Sequence, residues 1–435
     1  MKNLILVFSL ILTSIAVGQE APTNMSLQEA IDYALENNRT AKNAALDIEA
    51  AIKQKWETTA TGLPQLNAAV DYQNALKRNV FVFGDQVIQV GSKHTLTGTA
   101  TLSQLLFDGS YLVGLQSAKV YLEISKNAKA KTDLEVRKAV INAYGNVLLA
   151  EESVAILERN ISVLEKNLND ITKIFENGLE EEESVEQLKI TLSSVKSNLN
   201  NTTRLKDLAY QMLNLTIGKP INDTTVLTED LDALALQNIK LELLDTDNSI
   251  ENNIDYKIAQ NDKTSKELLV KLEKSKALPS LSAFINGGYT GNRESFDFTN
   301  TNEKWYGSSI FGVSLNVPIF SSGMRSAATQ RAKINLEKAD INLTETEQML
   351  NLQIESAKSD YQFAIEDYQN KKENLTLAER IETKNQTKFF EGIGSSFELR
   401  QAQTQLYTAQ QELLQTMLDV ITKKAELETL LNTTN

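Results

Sequence analysis

The chain has 435 residues, of which 41% are apolar, with no cysteine, one histidine and a formal net charge of -13. Without cysteine it has no disulfide, thiolate metal site or lipid-modified thiol, and the acidic balance argues against nucleic acid, whose phosphates call for clustered Lys and Arg. Its five prolines, Pro22, Pro64, Pro220, Pro279 and Pro318, leave long stretches free for uninterrupted helix.

The opening MKNLILVFSLILTSIAVGQE sets one lysine before a short apolar run and small residues, Ala16 and Gly18, before Gln19. This is the layout of a secretory signal peptide over residues 1–18, too short for a membrane-spanning helix. No later run approaches the roughly 20 apolar residues of a spanning helix, so an exported chain of this kind would enter a membrane with strands.

Ser26-Leu-Gln-Glu29 is a capping-box pattern and predicts a helix start. That helix runs to Leu63-Pro64, where the period changes to two. Leu66, Ala68, Val70 and Tyr72 then fall on one face of a strand near 65–75, with Asn67, Ala69, Asp71 and Gln73 on the other. A second strand near 95–106 sets Leu96, Gly98, Ala100 and Leu102 against Thr95, Thr97, Thr99, Thr101 and Ser103. Residues 110–176 predict a helix of roughly 100 Å. Val136, Val140, Ala143, Val147, Ala150, Val154, Leu157, Ile161, Leu164, Leu168, Ile171 and Phe175 alternate spacings of four and three along it, a coiled-coil seam. A glycine turn near 178 reverses the chain into a helix carrying Val185, Leu188, Leu192, Val195 and Leu199.

The plan then repeats. Leu63-Pro64 meets Leu278-Pro279 at a shift of about 215 residues, and FENGLEEEESVEQLKITL aligns without gaps on FFEGIGSSFELRQAQTQL at a shift of about 214. Residues 19–218 and 251–435 therefore read as two copies of one unit, joined by an irregular linker at 219–250. The second copy has strands near 280–290 and 308–318. Its seam runs through Leu350, Ile354, Ala357, Tyr361, Ala364, Tyr368, Leu375, Ala378 and Phe389, with Lys371, Glu382 and Asn385 as weak points. It turns near 392 and returns through Leu399, Ala402, Leu406, Ala409 and Leu413. Strands of about ten residues with Thr-rich faces opposite apolar ones suit a wet lumen and a lipid exterior. Four such strands cannot close a barrel alone. Tyr72, Tyr289, Trp305, Tyr306 and Phe311 are expected near strand ends, at the level of an interfacial aromatic belt.

The LPxL helix-to-strand steps at Pro64 and Pro279, LLFDG around Phe107, VPIF containing Pro318 and Phe320, the FxxG tips and the duplicated plan together resemble the TolC-like outer-membrane efflux proteins. The likeness extends over nearly all of the mature chain. It implies a mainly α fold with a small membrane β part, in which three copies form a periplasmic α-barrel and share one 12-stranded β-barrel. It also implies a passive channel in a tripartite efflux or type I secretion system. Phe175, Gly178, Leu179, Phe389, Gly392 and Ile393 at the tips would face a periplasmic adaptor protein and an inner-membrane transporter.

In that family, acidic residues just beyond the second tip glycine can line the lumen as a selectivity ring. Glu398 matches such a position and Gln401 does not. Ser395-Ser-Phe-Glu398 is also a capping box, so Glu398 reads as a lumen carboxylate, a helix cap, or both. Gly394 stands where some relatives hold the tips closed with a basic residue. The run Glu180 to Glu183 reads as a solvated helix start or an adaptor-facing patch, and His94 as an ordinary surface residue. No nucleophile and base pair, metal cluster or cofactor fingerprint is evident, so an enzyme is not expected. The rival readings are a periplasmic adaptor, which would pair one hairpin with larger β-domains, and a structural coiled-coil protein, which would not need bilayer-length strands.

Overall fold

The computed structural model describes residues 24–246 and 250–432, so the expected signal peptide lies outside the described residues. In chain order the elements begin with β1 (Asn24–Met25), α1 (Leu27–Asn37), α2 (Arg39–Ala60), β2 (Gln65–Asn74), β3 (Asn79–Phe83), β4 (Gln86–Val90) and β5 (His94–Asp108). The helices α3 (Gly109–Glu176) and α4 (Glu182–Ile217), the short β6 (Val226–Leu227) and α5 (Leu231–Gln237) follow. Then come α6 (Ile254–Ser275), β7 (Ser280–Arg293), β8 (Trp305–Asn316), α7 (Met324–Phe390) and α8 (Ser396–Leu431). The chain divides into two compact units, one made of residues up to 43, 130–253 and 349 onward, the other of 44–129 and 254–348.

The first unit is helical. Ser26 and Glu29 form the capping box, with the Ser26 amide donating to Glu29 Oε2 at 2.8 Å and the Glu29 amide donating to Ser26 Oγ at 3.3 Å. The single helix expected up to Pro64 is two. Asn38 leaves the helical region at ψ 134°, donates from Nδ2 to the Thr216 carbonyl, and accepts the Thr40 and Ala41 amides to start α2. The stretch expected as irregular linker is also structured: β6 pairs in parallel with β1, and α5 buries Leu231, Leu234 and Ala235 in the main core.

Most seam positions are buried as the heptad demands. Val136, Val140, Ala143 and Val147 of α3 join Ile354, Ala357, Tyr361, Ala364 and Tyr368 of α7 in one core. Toward the turns, Leu164, Ile171, Val185, Leu188, Leu192, Val195, Phe389 and Leu399 form a second core. One window of α3 is apolar enough by composition to cross a membrane, but 56% of it is buried inside the protein.

Beside the apolar seam runs a polar row that the hydrophobic pattern does not reveal: Ser153, Asn160 and Asn167, one heptad apart and all buried. Asn160 Nδ2 donates to Gln410 Oε1 at 2.9 Å, and Gln386 Nε2 donates to Asn167 Oδ1 at 3.1 Å. Buried amide pairs of this kind fix coiled-coil register at some cost in stability. The weak seam positions are accommodated differently. Lys371 pairs with Glu412 at 3.0 Å, and Asn385 donates to the Ile381 carbonyl. Glu382 is half-buried beside Gln403 and Tyr407, and burial pushes its carboxyl above the ordinary value, partly offset by the Gln403 amide.

The second unit holds a four-stranded antiparallel sheet in the order β2-β5-β7-β8. Pro64 and Pro279 stand immediately before β2 and β7, where each removes a helix donor and a strand begins. Phe107 follows a register shift in β5, and Asp108 then caps α3 by accepting the Ser110 and Tyr111 amides at 2.6 and 2.9 Å. Beyond β8, Pro318 offers its carbonyl to Arg325 Nη1 at 2.7 Å, and Phe320 is exposed. The strands β5 and β7 run to 15 and 14 residues, longer than the pattern indicates, and β3 and β4 form an additional hairpin.

Leu164 is fully buried, so Leu164→Ala should cost about 2–5 kcal/mol and lower the melting temperature followed by circular dichroism, while the exposed Leu179→Ala leaves it unchanged. Glu382 gives a pH signature. A raised folded-state pKa means that the native chain keeps a proton that the unfolded chain has released. The stabilising contribution is therefore complete below the ordinary carboxyl value of 4.5 and is lost as pH rises through the folded value. Glu382→Gln should raise the melting temperature at neutral pH by a few degrees, with the gain vanishing below pH 4.5.

Candidate functional site

Strand register turns the alternating sequence into two continuous surfaces. On one face Leu66, Leu102, Ile285 and Phe311 lie in a row across the four strands, followed by Ala68, Ala100, Gly287 and Ser309, then Val70, Gly98, Tyr289 and Gly307. The opposite face carries Asn67, Thr101 and Asn286 in one row and Asp71, Thr97 and Thr290 in another. Its side chains bond across strands: Asn286 Nδ2 donates to Thr101 Oγ1 at 2.7 Å, Thr97 and Thr290 hydroxyls meet at 3.3 Å, and Thr95 donates to Asn292 Oδ1 at 3.2 Å. One face is suited to hydrocarbon and the other to water. Ala69, Leu105, Phe284, Ile310 and Tyr306 are the apolar or aromatic exceptions on the wet face.

Tyr72 and Trp305 share the end row with Leu96 and Gly291, as expected for strand-end aromatics, whereas Phe311 lies mid-strand. The expectation for His94 is not met: it is only 9% exposed. Its Nδ1 lies 2.8 Å from the Tyr72 hydroxyl, the two rings stack, and Phe296 approaches edge-on. Phe298 and Trp305 extend the cluster, and the guanidinium of Arg293, opposite His94 in the ladder, lies over both rings. The loop after β7 folds back over this corner, which strand periodicity alone does not show.

The two helical turns share one backbone design. The Leu179 amide donates to the Ile174 carbonyl at 3.1 Å, and the Ile393 amide donates to the Lys388 carbonyl at 3.0 Å, the long closing bond of a Schellman turn. Gly178 and Gly392 have φ of 74° and 75°, with open space where a Cβ would stand, so their backbone conformation alone calls for glycine. The side chains differ. Leu179 and Ile393 project into solvent, Phe389 is buried in the second core, and Phe175 is far more exposed.

Glu398 is exposed, and the capping box is present: the Ser395 amide donates to Glu398 Oε2 at 3.3 Å, and the Glu398 amide donates to Ser395 Oγ at 3.2 Å. Between α7 and α8 a groove of about 910 Å³ is lined by Leu377, Ile381, Phe397 and Arg400, the last lying over the Phe397 ring. In the acidic run, Glu182 and Glu183 occupy the first turn of α4, and Ser184 Oγ donates to Glu180 Oε1 at 2.6 Å. Among the described residues no three His, Asp or Glu side chains gather closely enough to hold a metal ion.

The family model described as outer membrane efflux protein matches residues 30–219 and 246–433. Outer membrane protein TolC of Vibrio cholerae is 22% identical over 309 residues, 71% of this chain and 68% of that protein. Among solved structures, CusC superposes with a TM-score of 0.77 at 19% identity, covering 93% of this chain and 91% of CusC. VceC of Vibrio cholerae gives 0.74 at 16% identity, covering 93% and 95%. The open-state MtrE channel of Neisseria gonorrhoeae gives 0.71 at 20%, covering 93% and 88%. At these identities the superpositions speak to fold, while the family match takes in most of the chain. The chain therefore belongs to the outer membrane efflux protein family, and is an outer-membrane channel of tripartite efflux with a helical periplasmic extension.

Proposed function

We propose that three copies of the chain close a single twelve-stranded barrel, through which substrates pass passively from an inner-membrane transporter. The observation that carries this reading is the sheet itself, with one apolar face, one hydroxyl- and amide-lined face, and unpaired outer edges on β2 and β8 among the described residues. An open edge is not tolerated in hydrocarbon, so β8 of one copy pairs with β2 of the next until the ring closes. The exposed groove between α7 and α8, with Leu377, Ile381 and Phe397, supplies apolar surface for a neighbouring copy.

The tips around Phe175, Gly178, Leu179, Phe389, Gly392 and Ile393 dock a periplasmic adaptor. The exposed Leu179 and Ile393 beside rigid glycine turns support that role. The chain is read as a duplication, with residues 19–218 and 251–435 as copies joined by 219–250, supported by the matching closing bonds of the two tips. Glu398 contributes a carboxylate to the lumen from each copy while also capping α8, a double role supported by its exposure and its bond to the Ser395 amide.

Purified mature protein in planar bilayers should conduct, and native mass measurement should give a trimer. An inserted monomer, or a correctly assembled trimer that admits no ions once its tips are removed, would defeat the reading. Glu398→Gln separates the two roles, because Gln also serves at this position of a capping box. The expected result is reduced cation preference with unchanged thermal stability. Ser395→Ala should instead lower stability by about 1 kcal/mol and leave selectivity intact. Unchanged ion selectivity in Glu398→Gln would leave Glu398 as a cap only.

A further inference from the structure

The hairpin β3–β4, NVFVFGDQVIQV, is the most unusual surface in the second unit. All ten of its strand residues are exposed, yet its only charged residue is Asp85 at the turn, beside Gly84 with φ 63°. Register places Phe81, Phe83, Ile88 and Val90 on one face and Val80, Val82 and Val87 on the other. Both faces are thus mainly apolar, with Asn79 and Gln86 on the first and Gln89 on the second. Among the described residues it pairs with no further strand, so both outer edges are open as well. An isolated two-stranded hairpin is marginal in water, and an apolar surface of this kind calls for a cover.

From these features we propose that the β3–β4 hairpins of the three copies associate with one another across the outer mouth of the barrel and narrow it. This rests on the trimer proposed above.

The position of the hairpin selects this occupant. It grows directly from β2, the edge strand that the next copy must pair, and returns into β5. Its base is closed by the Ala75 amide donating to the Lys93 carbonyl at 2.8 Å. Arg78 pairs with Glu294 at the end of β7, tying the base to the neighbouring loop. Lys77, Arg78 and Lys93 flank the hairpin in the chain, and Arg78 pairs with Glu294, so charge separates the sheet strands from the hairpin and disfavours lipid as its cover.

The dimensions agree. A strand of five residues reaches roughly 17 Å. A ring of twelve strands spaced roughly 4.8 Å apart and tilted by roughly 40° has a radius of roughly 12 Å. Three hairpins leaning inward therefore meet near the axis, where each copy offers identical apolar faces and free edges.

The cysteine-free chain makes the test clean, since Phe83→Cys introduces the only thiol. In intact outer membranes, mild oxidation should give disulfide-linked pairs of copies. Replacing residues 79–90 by a short Gly-Ser linker should raise single-channel conductance several-fold while native mass measurement still gives a trimer. The inference is overturned if the trimer forms but the thiol stays unlinked and fully open to a membrane-impermeant maleimide, or if the linker variant conducts as wild type does. Quenching of a label on that thiol by brominated lipid would overturn it too, making lipid the cover. Absence of any trimer would overturn the assembly reading itself, and this inference with it.

Discussion

Hydrocarbon offers no partner to a backbone amide or carbonyl, and this single demand organises the second unit. It explains why helix stops at Pro64 and Pro279 and strands begin: cross-strand bonding can satisfy the main chain while side chains alternate between lipid and water. It also explains why a sheet of four strands is incomplete as it stands. The outer edges of β2 and β8 carry the unmet donors and acceptors of one chain, so assembly is a condition of insertion and not a later refinement.

The helical unit answers a different demand, that of length. Heptad spacing keeps one stripe of α3 and α7 buried over many turns, but an apolar stripe alone specifies register weakly. The amide pairs Asn160–Gln410 and Asn167–Gln386 supply discrete contacts that a shift of one turn would break. Glu382 runs against this pattern, since a half-buried carboxylate without a cation disfavours its own ionised form. Packing near the turns therefore responds to pH in a way that the apolar core does not.

Much of this was legible in the residues. Seam positions such as Val140, Ile171, Ile354 and Tyr361 could be read from spacing because burial along a coiled coil is periodic. The strand faces could be read because side chains alternate along a strand. What escaped was set by contacts distant in the chain. His94 is covered by Phe296 and aligned with Arg293, about 200 residues away. Asn38 breaks a helix because the Thr216 carbonyl offers its side chain a partner. The β3–β4 hairpin did have a signal, alternating Val and Phe around Gly84-Asp85, and so did the polar row, in the heptad spacing of Ser153, Asn160 and Asn167. Counting only apolar residues passes over that second pattern. At Glu398 both the cap and the exposed carboxylate followed from one short motif.

The amide pairs bear on how such a chain avoids confusing its own parts. Two hairpins of similar length and the same turn design invite swapping, in which the first hairpin of one copy packs against the first of another. Asn160 and Asn167 on α3 find complementary amides on α8 and α7. By the shift of about 214 residues, the counterparts of Gln410 and Gln386 in the first hairpin are Lys196 and Thr172. A like-with-like pairing would set a lysine and a threonine against Asn160 and Asn167 in place of two matching amides, and the complementary pairs would be lost. The polar row thus acts as a label of identity, by which two similar halves of one gene product are told apart.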